Sequence, residues 1–248
     1  MRLARCLKGF RFAPCILRSE RRFIENLLKE CVKDWKKGQY ISVLDMTNSQ
    51  HDDLIQRRIL FPDPDDFALA AGLGRDWPDG RGIYCDKWDD SPNIVIWCNN
   101  ENHFSVISIA KGGDVQGVFT RLSEATMALE TSLTQRGFMF IEDPKYGFLN
   151  PSPAHIGTAL RASVYVKLPR LSRQPGFFDY IARLNLEART EHAASDKRFT
   201  GIYDIANAQA LGKSEVELIN VMIEGVGKLI ALEKKLENGD SVDLEMEP

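Results

Sequence analysis

Between positions 20 and 35, ERRFIENLLKECVKDW, the apolar residues Phe23, Ile24, Leu27, Leu28, Cys31, Val32 and Trp35 recur every three or four places. That spacing puts them on one face of a helix and predicts an amphipathic segment lying on a core. The pattern changes in 93–97 (NIVIW), 104–109 (FSVISI), 138–141 (FMFI) and 162–168 (ASVYVKL), short runs rich in β-branched and aromatic residues. These predict strands, with NNEN between the first two as a hairpin turn. A second helix is expected over 115–133. A third begins at a capping box, Ser214 with Glu217 three positions on, and Val216, Ile219, Ile223, Val226 and Ile230 mark one face of it until Gly239. From 61 to 90 the punctuation is dense (PDPDD, GLG, WPDGRG), which predicts loops. Hairpin strands separated by long helices, without internal repeats, predict an α+β fold with a largely antiparallel sheet.

Composition narrows the function classes. A chain of 248 residues, 44% hydrophobic and 27% charged, is ordinary for a globular protein. A net charge of -3 provides no basic footprint for nucleic acid. No apolar run approaches the roughly 20 residues that span a bilayer. Cys6, Cys15, Cys31, Cys85 and Cys98 form an odd set without a CxxC pair or a neighbouring His at ligand spacing. That argues against a disulfide framework and structural zinc, and for buried thiols in a reducing, intracellular compartment. The start, MRLARCLKGFRFAPCILRSERR, is Arg-rich and free of acids until Glu20, the composition of a mitochondrial targeting segment. The acidic tail DSVDLEMEP reads as an exposed, solvated end.

Several ordered segments carry a resemblance: RDWPDGRGIY at 75–84, IWCNNENHFSVIS at 96–108, KGGDVQGVF at 111–119, IGTALRASVYVKLP at 156–169, GIYDIANA at 201–208 and LGKSEVE at 211–217. Together they resemble the phosphagen kinases, the creatine and arginine kinase family that moves a phosphoryl group between ATP and a guanidino compound. The resemblance covers nearly the whole chain, so one catalytic domain is expected over 1–240, followed by the tail 241–248. It implies an antiparallel sheet of about eight strands flanked by helices. It also gives the Arg-rich start a second reading, as the family's RxxRxLxGFxFxPC segment, with mitochondrial or cytoplasmic placement left open. The family's helical N-terminal domain, which helps select the guanidino substrate, is expected to be missing.

Phosphoryl transfer has a loose transition state with charge spread over three oxygens, so positioning and cationic clamping supply most of the catalysis. The family grips the nucleotide phosphates with arginines, whose planar forks pair bidentately with phosphate. Carried over residue by residue, the resemblance places Arg2, Arg5, Arg161 and Arg189 on phosphate-binding arginines. Another arginine of the first motif would precede Met1. Glu101 falls on the principal glutamate of the NEEDH motif, which orients the guanidinium and accepts its proton. Trp97 falls on the tryptophan before that motif, His103 on its histidine, and Asp204 on the aspartate of YD(I/V)SN, which by the resemblance puts Trp97 and Asp204 among the expected nucleotide-binding residues. Mg-ATP or ADP is the implied cofactor if the nucleotide site is retained, and no resident metal is expected.

The departures cluster where the chemistry would occur. NEEDH has become NNENH, so Asn100 and Asn102 stand at acidic positions and Ser105 at a phosphate-binding arginine. Ser152 stands at the cysteine of CP(S/T)N, Tyr165 at the histidine of GVHVKLP, and Arg58 at the histidine of DDHFLF. The closing loop after Arg189 reads TEHAASDKR, without glycine, and predicts a stiffer lid. Removing one preorganised donor typically costs about 100- to 1,000-fold in rate.

Two functions are therefore expected. The first is a degenerate phosphagen kinase with lost or strongly reduced phosphotransfer, acting as a structural or binding subunit among protein partners in a larger assembly. The second is an active ATP:guanidino phosphotransferase with Glu101 as base. A nucleotide-binding regulator without turnover is a third possibility. Each site residue also has a plainer reading: Glu101 as a surface hairpin residue, Trp97 as core, Arg161 and Arg189 in surface salt bridges. His103, His155 and His192 share no metal spacing and read as structural or exposed. The glycines of GLG at 72–74 are too few for a phosphate loop.

Overall fold

A computed structural model describes residues 1–35, 37–88, 91–190, 200–245 and 247. The chain divides into two compact units, Met1–Ala159 and Leu160–Pro248.

The first unit contains β1 (Arg2–Arg5), α1 (Arg18–Val32), β2 (Gln39–Ser42), α2 (Asn48–Gln56), α3 (Asp66–Ala70), β3 (Gly82–Cys85), β4 (Ile94–Cys98), β5 (Phe104–Ser108), α4 (Val115–Gln135), β6 (Glu142–Asp143) and β7 (Gly147–Phe148). Five of its strands lie side by side in the order β2, β3, β4, β5, β1, every neighbour antiparallel. The hairpin expected at NNEN joins β4 to β5 and pairs Trp97 with Ser105 and Cys98 with Phe104. The sheet's interior is apolar: Val95, Ile96, Phe104 and Val106 are fully buried, each contributing roughly 1.5 to 3 kcal/mol by leaving water. Helix α4 packs on β5 and against α1.

The second unit contains β8 (Leu160–Arg161), β9 (Ser163–Lys167), α5 (Phe177–Arg183), β10 (Leu186–Thr190), β11 (Ile202–Asn207) and α6 (Glu215–Glu237). Strands β10, β11 and β9 form an antiparallel sheet in that order. Because successive side chains alternate across a strand, Leu186, Tyr203 and Ile205 turn to the buried face, on which α5 and α6 pack. Glu187, Arg189, Asp204 and Tyr165 share the opposite face. The α6 capping box is formed: Ser214 Oγ accepts from the N–H of Glu217, whose carboxylate accepts from the N–H of Ser214.

The α+β class and antiparallel pairing are as the pattern predicts, with four corrections. On α6 the buried face is Leu218, Ile219, Met222, Val226, Leu229 and Leu232, whereas Val216, Ile223 and Ile230 are exposed. The last three repeat every seven residues on the flank of the stripe. Phe23 is exposed on α1, where it stacks on Phe10 with ring centroids 5.5 Å apart. The run 138–141 forms no strand; Phe140 makes an isolated bridge with Leu7. The tail is anchored: Leu244 is buried, its carbonyl accepts from the Arg183 guanidinium, and Glu247 pairs with Lys235 at 3.1 Å.

Cys6, Cys31, Cys85 and Cys98 are buried, Cys15 is exposed, and all five are free. Burial pushes the Cys6 and Cys85 thiols up to about 12. Among the described residues no helix is long and apolar enough to cross a membrane.

Candidate active site

The residues singled out in the sequence fall in both units. Trp97, Glu101, Arg2 and Arg5 belong to the first; Arg161, Arg189 and Asp204 belong to the second.

The hairpin that presents Glu101 is fixed from behind. Asn99 closes β4 with φ of +55°, a left-handed conformation that asparagine tolerates better than most residues. Its backbone N–H donates to the His103 carbonyl at 2.9 Å. Its buried Nδ2 donates to the carbonyls of Arg21 at 2.9 Å and Gly80 at 2.7 Å. The side chain thus ties the hairpin to α1 and to the WPDGRG segment, whose Arg81 is itself buried and donates to the carbonyls of Leu73 and Arg75. His103 is buried as well: Nδ1 accepts from the N–H of Leu7 and Nε2 donates to the Arg11 carbonyl, both at 2.9 Å. Desolvation holds its pKa down at about 4, so the ring is neutral.

Between these anchors Glu101 remains partly exposed, its side chain at 46%. Its Oε2 lies 4.0 Å from Nδ1 of His155. The other ring nitrogen, Nε2, is 3.0 Å from Nη2 of Arg2. Arginine only donates, so Nε2 accepts and the imidazole proton sits on Nδ1, facing the carboxylate. Asn150 Nδ2 donates to the His155 carbonyl at 2.6 Å and fixes that turn. No sequence pattern announces His155, because a short 3-10 turn over Pro153–His155 brings it to the hairpin.

Of the replaced positions of NNENH, Asn100 is half-buried and Asn102 is buried. Asn102 is 1% exposed, and neither atom of its amide has a hydrogen-bond partner among the described residues. Ser105 is 2% exposed within β5, between Trp97 and Ala4. Trp97 donates from Nε1 to the Ile59 carbonyl at 2.7 Å and packs edge-on against Phe61. Arg5 is buried; its Nη1 donates to the carbonyls of Ala4 at 2.8 Å and Thr158 at 3.0 Å, and its guanidinium lies 3.6 Å over the Phe148 ring. Ser152 is half-buried, and Tyr165 and Arg58 are exposed.

In the second unit Arg161, Arg189 and Asp204 are brought together, with Glu187 among them. Arg161 Nε donates to Glu187 Oε1 at 3.3 Å, and its Nη2 pairs with Asp204 Oδ2 at 3.0 Å. Arg189 Nη2 lies 3.0 Å from the same Glu187 oxygen. The strand alternation that puts Glu187 and Arg189 on one face is the signal that reveals this acid. His192 and the closing loop beyond Thr190 lie outside the described residues.

Chemically, the first unit offers a carboxylate backed by an imidazole and a guanidinium. The second offers two arginine forks suited to a phosphate. Among the described residues no group of three or more His, Cys, Asp or Glu is arranged to hold a metal ion. Magnesium arriving with a nucleotide needs no such cage, since it is held largely by phosphates and water.

Residues 20–236 match the family ATP:guanido phosphotransferase, C-terminal catalytic domain. Creatine kinase B-type of Gallus gallus is 37% identical over 247 residues, 98% of this chain and 64% of that protein. Creatine kinase M-type of Oryctolagus cuniculus is 36% identical over the same shares. The crystal structure of lombricine kinase superposes with a TM-score of 0.87 at 35% identity, covering 98% of this chain and 67% of that one. The duplicated taurocyamine kinase from Schistosoma mansoni with bound transition state analog components gives 0.88 at 32% identity, covering 96% and 32%. The chain thus spans just under two thirds of the length of the creatine kinases it matches. It belongs to the ATP:guanido phosphotransferase, or phosphagen kinase, family.

Proposed function

We propose that this chain is a phosphagen-kinase catalytic fold whose phosphotransfer is lost or strongly reduced, and which serves as a binding subunit among protein partners. The observation that carries the reading is the state of the NNENH hairpin. Its scaffold is intact, from the Asn99 clamp to the buried His103 ring, yet Glu101 is the single charged group left on it. Asn102 and Ser105 stand buried and neutral where the family pattern has an acid and a phosphate-binding arginine. A preserved core with neutralised chemistry is what a protein kept for its surface requires.

Bound Mg-ATP would supply the transferable γ-phosphoryl group. Arg161 and Arg189 are the residues that would hold its phosphates, but both forks are paired with carboxylates. Measuring phosphoryl transfer from Mg-ATP to creatine, arginine, taurocyamine and lombricine tests the reading.

One observation favours an active ATP:guanidino phosphotransferase instead. Glu101 is present and partly exposed at the hairpin tip, with Nδ1 of His155 4.0 Å from its Oε2, an arrangement that leaves the carboxylate placed to act as a base. Under this reading Glu101→Gln abolishes turnover, and an unchanged rate rules the role out.

A further inference from the structure

We propose that Glu187 is the resident anion of the arginine subsite in the second unit: it holds Arg161 and Arg189 when no ligand is bound, and a polyphosphate binds only by displacing it. This rests on reading the two arginines as phosphate-binding residues.

The geometry begins with strand alternation. Glu187 and Arg189 are two positions apart on β10, so both side chains leave the same face. The antiparallel register sets Asp204 of β11 directly opposite Arg189. Arg161 reaches this face from β8, and one oxygen, Oε1 of Glu187, meets both guanidinium groups at 3.3 and 3.0 Å. Two arginines converging on one oxyanion is the arrangement a phosphate oxygen seeks, since the planar forks suit carboxylate and phosphate alike.

The two acids differ in how readily they can leave. Asp204 and Arg161 are each 16% exposed at the side chain, and the short aspartate has little room to swing. It orients Arg161 and stays. Glu187 is 37% exposed and its partner Arg189 is 64% exposed, so its longer side chain can rotate into water while its backbone remains in β10. Exposed ion pairs of this kind are weak and exchangeable.

Charge sets the consequence. Two guanidinium and two carboxylate groups balance, which leaves the cluster neutral at rest. A phosphate must replace Glu187 at the arginines and also tolerate its negative charge nearby. Removing that one charge leaves the cluster at +1. Glu187 therefore sets the affinity of the subsite and selects for ligands, such as pyrophosphate and the nucleotide diphosphate tail, with enough phosphate oxygens to repay the exchange.

The test is calorimetric titration of the full chain with magnesium-free pyrophosphate. Glu187→Gln keeps the shape and removes the charge, and should bind about tenfold more tightly than the parent, as expected for relieving one charge-assisted competitor at a partly exposed site. Glu187→Thr should shift affinity in the same direction, which guards against a folding defect in either variant. Adding Arg161→Gln to Glu187→Gln should erase the gain and locate it at this cluster. If the parent binds and neither Glu187 variant binds more tightly, the inference fails and the phosphate-subsite reading survives. A gain that persists without Arg161 likewise overturns it. If neither parent nor variants bind pyrophosphate, both the inference and the reading beneath it fail.

Discussion

The backbone N–H of Leu7 donates to Nδ1 of His103 at 2.9 Å, a bond spanning 96 positions of the chain. With Nε2 donating to Arg11, the ring sews the segment after β1 to the end of the catalytic-type hairpin, and only the neutral Nε2–H tautomer satisfies both partners. A protonated ring would set Nδ1–H against the N–H of Leu7.

The bond makes stability depend on pH in a fixed direction. The folded pKa of His103 is about 4, below its ordinary 6.5. Between these values the unfolded chain binds a proton that the native chain does not, so stability falls as pH falls through that window and is unaffected above it. Relative to His103→Gln, whose amide neither titrates nor clashes with Leu7, the parent should lose roughly 2 to 3 kcal/mol between about pH 7.5 and 4.5 in denaturant titrations. Parallel pH profiles for the two proteins would show that the ring titrates freely in the fold.

Asn102 makes a second prediction. Its buried amide has no partner among the described residues, and an unmet polar group costs about 1 to 3 kcal/mol of desolvation. Asn102→Val, apolar and only about one methylene larger, should leave stability unchanged or raise it by up to about 1 kcal/mol. Asn102→Asp, which restores an acid of the family pattern, should destabilise at neutral pH because a lone charge is then buried. Urea midpoints decide it; a large loss in the valine variant would mean that the amide is hydrogen-bonded after all.

The thiols make a third. Burial raises four of the five, Cys6, Cys31, Cys85 and Cys98, and a thiol is nucleophilic only as thiolate. Under native conditions at neutral pH an aromatic disulfide reagent should react quickly with Cys15 alone, and with the rest after unfolding. Rapid native labelling of Cys98 would contradict the buried hairpin base.

The sequence discloses the parts of this fold that depend on local periodicity. Helices α1, α4 and α6 and the β4–β5 hairpin follow from spacing and caps, and the family motifs single out Glu101, Arg161 and Arg189 as candidates. Long-range packing is hidden from such reading. The face of α6 is mis-set because Val216, Ile223 and Ile230 repeat every seven residues while the buried stripe runs one position aside. Leu244 in an acidic tail looks solvated until the Arg183 contact is seen. His155 has no local pattern at all, since its closeness to Glu101 is made by a fold-back over many residues. Glu187 was within reach, two places from Arg189 in a strand, but β10 is too polar to register as one.

The most direct test of the central claim is the turnover of the full chain with Mg-ATP and each of creatine, arginine, taurocyamine and lombricine, followed by ADP release. A hairpin stripped of all its charges but Glu101, with both arginine forks of the second unit held by carboxylates, predicts rates at least about a thousandfold below an ordinary enzyme value on the order of 10 per second. Turnover at that ordinary value with any of the four, abolished by Glu101→Gln, would contradict the claim and establish an active phosphotransferase.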